Sequence, residues 1–91
     1  MNRTEQISLV ARLFQLEVED VERNSSWIDD MSALYFSEPI MEGRSMIAAP
    51  DGSVLFADSS ISYDEHIREF KKGTRTPLSD FETNMKGEKA P

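Results

Sequence analysis

Apolar residues recur through the first quarter of the chain at Ile7, Val10, Phe14, Val18 and Val21, with spacings of three, four, four and three. At about 100° per residue these positions share one face of a helix. Leu9, Leu13 and Leu16 widen that face, while Ser8, Arg12, Gln15, Glu19 and Glu22 cover the opposite side. Asn2 stands where an N-cap belongs and Glu5 follows three residues later, the spacing of a capping box. No glycine or proline interrupts the run. The pattern predicts a single helix from about Arg3 to Arg23.

After the helix the period changes. Asn24-Ser25-Ser26 reads as a break and Trp27 to Met31 as a loop with Trp27 folded inward. Leu34, Tyr35 and Phe36 supply bulk suited to a strand over Ala33–Ser37, which Pro39 should end. A second strand is expected from about Arg44 to Ala49. Pro50-Asp51-Gly52 then makes a turn, with proline at the first corner and glycine free to take the left-handed position, and leads into a third strand over Val54–Ala57. Ser62 and Glu65 form a second capping box, opening a helix whose buried stripe is read as Tyr63, Ile67 and Phe70, with His66 at its border. Gly73 stops it. The expected fold is α+β in the order α-β-β-β-α: a three-stranded antiparallel meander packed against two helices, forming one domain over residues 1–73. Residues 74–91 have no apolar period and read as an extended tail, in which Leu78 and Phe81 dock and the chain from about Thr83 is mobile.

Length and composition narrow the function classes. Ninety-one residues make one domain with a modest core. The absence of cysteine excludes disulfides, thiol chemistry and cysteine-based zinc sites, and with no recognisable signal peptide it favours a reducing, cytoplasmic setting. No apolar run reaches the roughly 18 residues of a membrane span. The net charge of −7 argues against a broad basic face for nucleic acid or anionic membrane and suits a basic protein partner.

The charge is unevenly placed. Residues 1–43 carry nine acids against three arginines, or −6; the remainder carries eight acids against seven bases, or −1. Glu17, Glu19, Asp20 and Glu22 would occupy the last two turns of the predicted first helix, where the macrodipole disfavours them. The second helix has acids at its start and lysines at its end, the favourable order. A local departure from stability rules marks a functional surface. Glu17, Glu19, Asp20 and Glu22, joined by Asp29 and Asp30 of the following loop, are therefore the candidate partner-binding residues. Both faces of the predicted sheet are apolar, so two helices would leave some of it uncovered for self-association or a partner, and a purely structural homodimer is an alternative reading.

Catalytic chemistry finds little support. His66 is the only histidine, and neither a nucleophile nor an orienting group is nominated beside it. Ser59, Ser60 and Ser62 lack a nucleophile-elbow motif, and Asp29-Asp30 lacks the pattern of a calcium loop. No metal or cofactor is expected, and a small enzyme or metal-dependent factor built on His66 is the rival reading. Arg68, Lys71, Lys72 and Arg75 read as a solvated helix end.

The stretch SMIAAPDGSVLFADSSISYDEHIREFKKG resembles the C-terminal part of small bacterial immunity proteins, which neutralise a cognate toxin. From Met46 to Phe70 the layout is similar: a strand ending in a D-x-G turn, a second strand, and a short helix with an aromatic and an Ile-x-x-Phe pair. The glycine-rich approach to the second strand is represented only by Gly43. The resemblance implies a cytoplasmic, non-catalytic, toxin-binding inhibitor and carries over no binding residues.

Overall fold

A computed structural model describes residues 1–40 and 43–81. Met41, Glu42 and residues 82–91 lie outside that description, and with them the end of the predicted tail. The elements, in chain order, are α1 (Arg3–Phe14), α2 (Val18–Arg23), β1 (Ser25–Ile28), a short 3₁₀ turn (Asp29–Met31), β2 (Ala33–Ser37), β3 (Ser45–Ala48), β4 (Val54–Ala57) and α3 (Tyr63–Lys71). The α+β class and the antiparallel meander are as expected. The sheet has four strands, ordered β1-β2-β3-β4, rather than three.

The first helix starts where its capping box places it: the Asn2 side chain accepts the Glu5 N–H at 2.9 Å, and the Glu5 carboxylate accepts the Asn2 N–H at 2.9 Å. It does not run to Arg23. Gln15 takes a left-handed conformation, φ 58° and ψ 47°. The Leu16 N–H reaches back to the Ala11 carbonyl at 2.8 Å and the Gln15 N–H to that of Arg12 at 3.3 Å. This is a Schellman close, with glutamine where glycine is usual. The chain turns and begins α2 at Val18. The turn brings Val21 into the core at 0% exposure and leaves Val18 46% exposed, so the single five-residue face predicted for one helix is split.

The second unexpected element is β1. Ser25, Ser26, Trp27 and Ile28 pair with Phe36, Tyr35, Leu34 and Ala33, so residues read as break and loop form the outermost strand. Trp27 lies in a cross-strand row with Leu34, Ala48 and Val54 and packs on the same core as they do. Burial of that row offsets the poor strand preference of the serines.

Side chains alternate cleanly between two cores. Leu34, Phe36, Met46, Ala48 and Val54 pack with Ile7, Leu9, Val10, Ala11 and Phe14 of α1 and Val21 of α2. On the reverse face Ala33, Ile47, Ala49 and Leu55 pack with Phe70 of α3, bordered by Ile28, Met31, Tyr35 and Ile67. The sheet is thus sandwiched, with α1 and α2 on one side and α3 on the other. The uncovered apolar face expected from two helices does not exist, because the helices divide between the faces. Gln6 pins α1 to the sheet from within: its Nε2 donates to the Ser32 carbonyl at 3.0 Å and the Ala48 carbonyl at 2.8 Å.

The hairpin from β3 to β4 turns at Pro50-Asp51-Gly52, with Gly52 at φ 92°. The turn before β3 requires glycine for a different reason. A Cβ on Gly43 would sit 2.6 Å from the Glu38 carbonyl oxygen and 2.9 Å from that of Ile40. Glu38 and Arg44 close the base of this turn with bidentate bonds of 2.9 Å each, and the Arg44 guanidinium lies 4.8 Å from the Phe14 ring centroid.

The domain extends past Gly73. Thr76 forms an antiparallel bridge to Val54, Arg75 lies over the Phe70 ring at 3.8 Å, and residues 78–81 are helical. Phe81 packs edge-on against Phe56 with centroids 6.1 Å apart, while Leu78 stays 39% exposed. The first part of the predicted tail is therefore a strap bound to β4.

Candidate functional site

The break at Gln15 changes the meaning of the acidic residues. Glu17 is the N-cap of α2, and Glu19 and Asp20 lie in its first turn, the end where a helix favours negative charge. Arg12 and Arg23 fall in the last turns of α1 and α2. The apparent conflict with stability, which singled these acids out in the sequence, is thus removed for Glu17, Glu19 and Asp20, while Glu22 stays in the last turn of α2 beside Arg23.

Their concentration remains. Residues 17–30 hold six acids and one arginine, a local charge of −5. α2 leads into β1, and the 3₁₀ turn follows it, so along the chain Glu17, Glu19, Asp20 and Glu22 precede the strand and Asp29 and Asp30 follow it. Four residues of strand span about 13 Å. Two of the six have ion-pair partners: Asp20 with Arg23 at 3.1 Å and Asp30 with Lys71 at 3.9 Å. Both pairs are exposed, where such contacts are worth little. Glu17, Glu19, Glu22 and Asp29 have none among the described residues.

Between the two acidic groups lies the free side of β1. The Ser37 N–H donates to the Asn24 carbonyl at 3.3 Å. With the register of Ser25 opposite Phe36, this sets the parity of the ladder. Ser26 and Ile28 direct their main-chain groups to β2, and Ser25 and Trp27 direct theirs away from the sheet. No main-chain partner meets those outward groups among the described residues. The opposite edge is treated differently. On β4 the outward residues are Val54 and Phe56. The Val54 carbonyl accepts the Thr76 N–H at 2.8 Å, and the Phe56 N–H donates to Thr76 Oγ1 at 2.9 Å. Sequence reasoning missed the β1 edge, since its parity depends on a register that only the folded sheet defines.

His66 is the centre of its helix face rather than its border. It is 1% exposed, whereas Tyr63, assigned to the buried stripe, is 49% exposed and stacks edge-on against Tyr35 at 4.8 Å. His66 Nε2 lies 2.8 Å from the Leu55 carbonyl oxygen. A carbonyl only accepts, so this nitrogen carries the proton. Nδ1 then accepts from the Ser45 hydroxyl at 3.3 Å. Burial pushes the imidazole below its ordinary value, with the Leu55 bond a smaller opposing effect. The Ser45 hydroxyl is itself buried. This Ser-His pair is a satisfied internal contact joining β3, β4 and α3.

The remaining candidates have structural tasks. Ser62 caps α3 through the Glu65 N–H at 3.2 Å. Ser60 donates its hydroxyl and its N–H to the Asp58 carboxylate, which holds that carboxyl below its usual range. Of the basic group near the end of α3, Lys72 pairs with Glu69 at 3.2 Å, and Arg75 bonds the Ser53 hydroxyl at 2.8 Å and the Phe70 carbonyl at 2.9 Å. Among the described residues no three histidine or acidic side chains converge as a metal site would require, and no helix is long and apolar enough to cross a membrane.

Compared with known protein families, with curated proteins and with solved structures, the chain matches none of them.

Proposed function

We propose that this chain is a protein-binding module that recognises a basic partner through the region of α2, β1 and the 3₁₀ turn. The observation that carries the reading is the local charge of −5 over residues 17–30, most of it on exposed carboxylates free of ion pairs. Such a surface speeds encounter with a positively charged partner and disfavours acidic ones. The specific form proposed is an inhibitor of the immunity type, supported by the hairpin-helix resemblance from Met46 to Phe70. A role without catalysis is supported by His66, whose two ring nitrogens are committed to Leu55 and Ser45.

The test is affinity capture from the source cell with the full chain and with a Glu19→Lys, Asp20→Lys, Glu22→Lys variant, at low and high salt. A basic protein should be retained by the parent, released by salt, and lost from the variant. Equal capture by both would refute the acidic surface as the binding site. His66→Ala should leave capture intact in whatever fraction of the variant folds.

A further inference from the structure

We propose that the open edge of β1 is a strand-docking site, and that its occupant is an extended, lysine- or arginine-rich segment of the partner protein. The inference rests on the reading of the chain as a binder of basic protein and adds the mode of recognition.

The first argument is the unequal treatment of the two edges. Exposed edges template pairing with other chains, and folded proteins blunt them. Here Thr76 occupies both outward positions of β4, taking up the Val54 carbonyl and the Phe56 N–H. Among the described residues nothing comparable lies along β1. The outward N–H and C=O groups of Ser25 and Trp27 offer four hydrogen bonds in the spacing an added strand requires. Along this edge Ser26 is exposed, and Ser25, Trp27 and Ile28 are half-buried.

The second argument chooses the occupant. β1 is flanked along the chain by acids on both sides: Glu22, whose carbonyl accepts the Ser25 hydroxyl, is the nearest before it, and Asp29 and Asp30 follow it directly. A segment with cations on both flanks of a short extended centre meets opposite charge at each end, whichever way it runs. A second copy of this chain does not. Two β1 edges paired antiparallel would bring the α2 acids of one copy against Asp29 and Asp30 of the other, and like charges so placed are repulsive. The acids thus favour a basic strand and guard the same edge against self-pairing.

The test uses the full chain labelled with ¹⁵N and three synthetic octapeptides. The first has alternating threonine and valine at its centre and paired lysines at both ends. The second replaces the lysines with glutamates. The third keeps the lysines but is N-methylated at alternate central residues, which removes strand hydrogen bonds and keeps the charge. The first peptide should shift the amides of Ser25 to Ile28 and slow exchange of the Ser25 and Trp27 amides by on the order of tenfold at saturation; the other two should not. If the methylated peptide binds as well as the parent, with shifts confined to α2 and the 3₁₀ turn, strand docking fails while the acidic-surface reading stands. If no lysine peptide binds at low salt, both fail. If the Ser25 and Trp27 amides are already protected in the free protein, the edge is filled and the proposal fails; dependence of that protection on protein concentration then identifies a second copy as occupant, and independence identifies the chain itself.

Discussion

The Nε2–H of His66 donates to the main-chain carbonyl of Leu55 over 2.8 Å, tying the middle of α3 to β4 inside a core that excludes water. Burial disfavours the charged imidazole there and holds its value below the ordinary one of about 6.5. The unfolded chain takes up a proton near 6.5, and the folded chain only at lower pH. Between those values the unfolded state binds more protons, so stability falls as pH falls. The contribution is complete above about pH 6.5 and declines by at most about 1.4 kcal/mol per pH unit below it. Urea midpoints at pH 7.5 and 5.5 should show the decline, and His66→Gln, though less stable, should show a smaller difference between the two. A parent midpoint that rises on acidification over this range would contradict the assignment.

Gln15 supplies a test with opposite signs for two structures. In a helix continuing to Arg23, Gln15→Gly would cost about 1 kcal/mol. At the left-handed close seen here, glycine removes the steric penalty borne by a side chain, and the variant should gain about 0.5–1 kcal/mol. Gln15→Val should lose about 1–2 kcal/mol, because a branched Cβ suits that conformation worst. Thermal unfolding of the two variants reads both signs.

Gln6 faces carbonyl oxygens from Ser32 and Ala48 and is 0% exposed. Its amide nitrogen donates to both, and its Oε1 finds no donor among the described residues. Gln6→Glu would bury a carboxylate against two acceptors, at a cost of about 3 kcal/mol or more. The loss relative to the parent should shrink from pH 8 to pH 5, since a protonated carboxyl regains a donor; this is the sign of a folded-state value raised by burial. Gln6→Leu should cost only about 1 kcal/mol, as it also removes the unpartnered oxygen. Denaturation curves at both pH values compare the pair.

Thr76→Val keeps the shape of the strap and deletes the hydroxyl that receives the Phe56 N–H. A loss of about 1 kcal/mol is expected, together with faster amide exchange at Phe56 and no change at Tyr35 or Ile47 in the middle strands. Unchanged exchange at Phe56 would mean that the clasp does not protect this edge.

The parts of the fold that were legible in the sequence are those whose signals are local. Asn2 with Glu5, and Ser62 with Glu65, open helices where their side chains say they should. Pro50-Asp51-Gly52 makes the hairpin, and β4 has the expected bounds. The end of α1 was hidden because the Schellman close uses Gln15 instead of glycine, while the apolar spacing runs on through Val18 and Val21. β1 was hidden because serine and asparagine carry turn preferences, and Trp27 earns its strand position from Leu34 across the ladder. The six candidate acids were visible as a charge bias. The relation of Glu17, Glu19 and Asp20 to the dipole was misread with the helix, and the strand that follows them in the chain could not be seen until its neighbour was in place.

Thr76 comes twenty residues after Phe56, and this sets an order of events during synthesis. All four strands leave the ribosome before the residue that seals β4. For that interval the nascent sheet is open on both sides and can ladder in either direction with another chain. Only the arrival of the strap makes the two sides chemically different. Selectivity between the two edges is therefore conferred by a residue that follows all four strands in the chain.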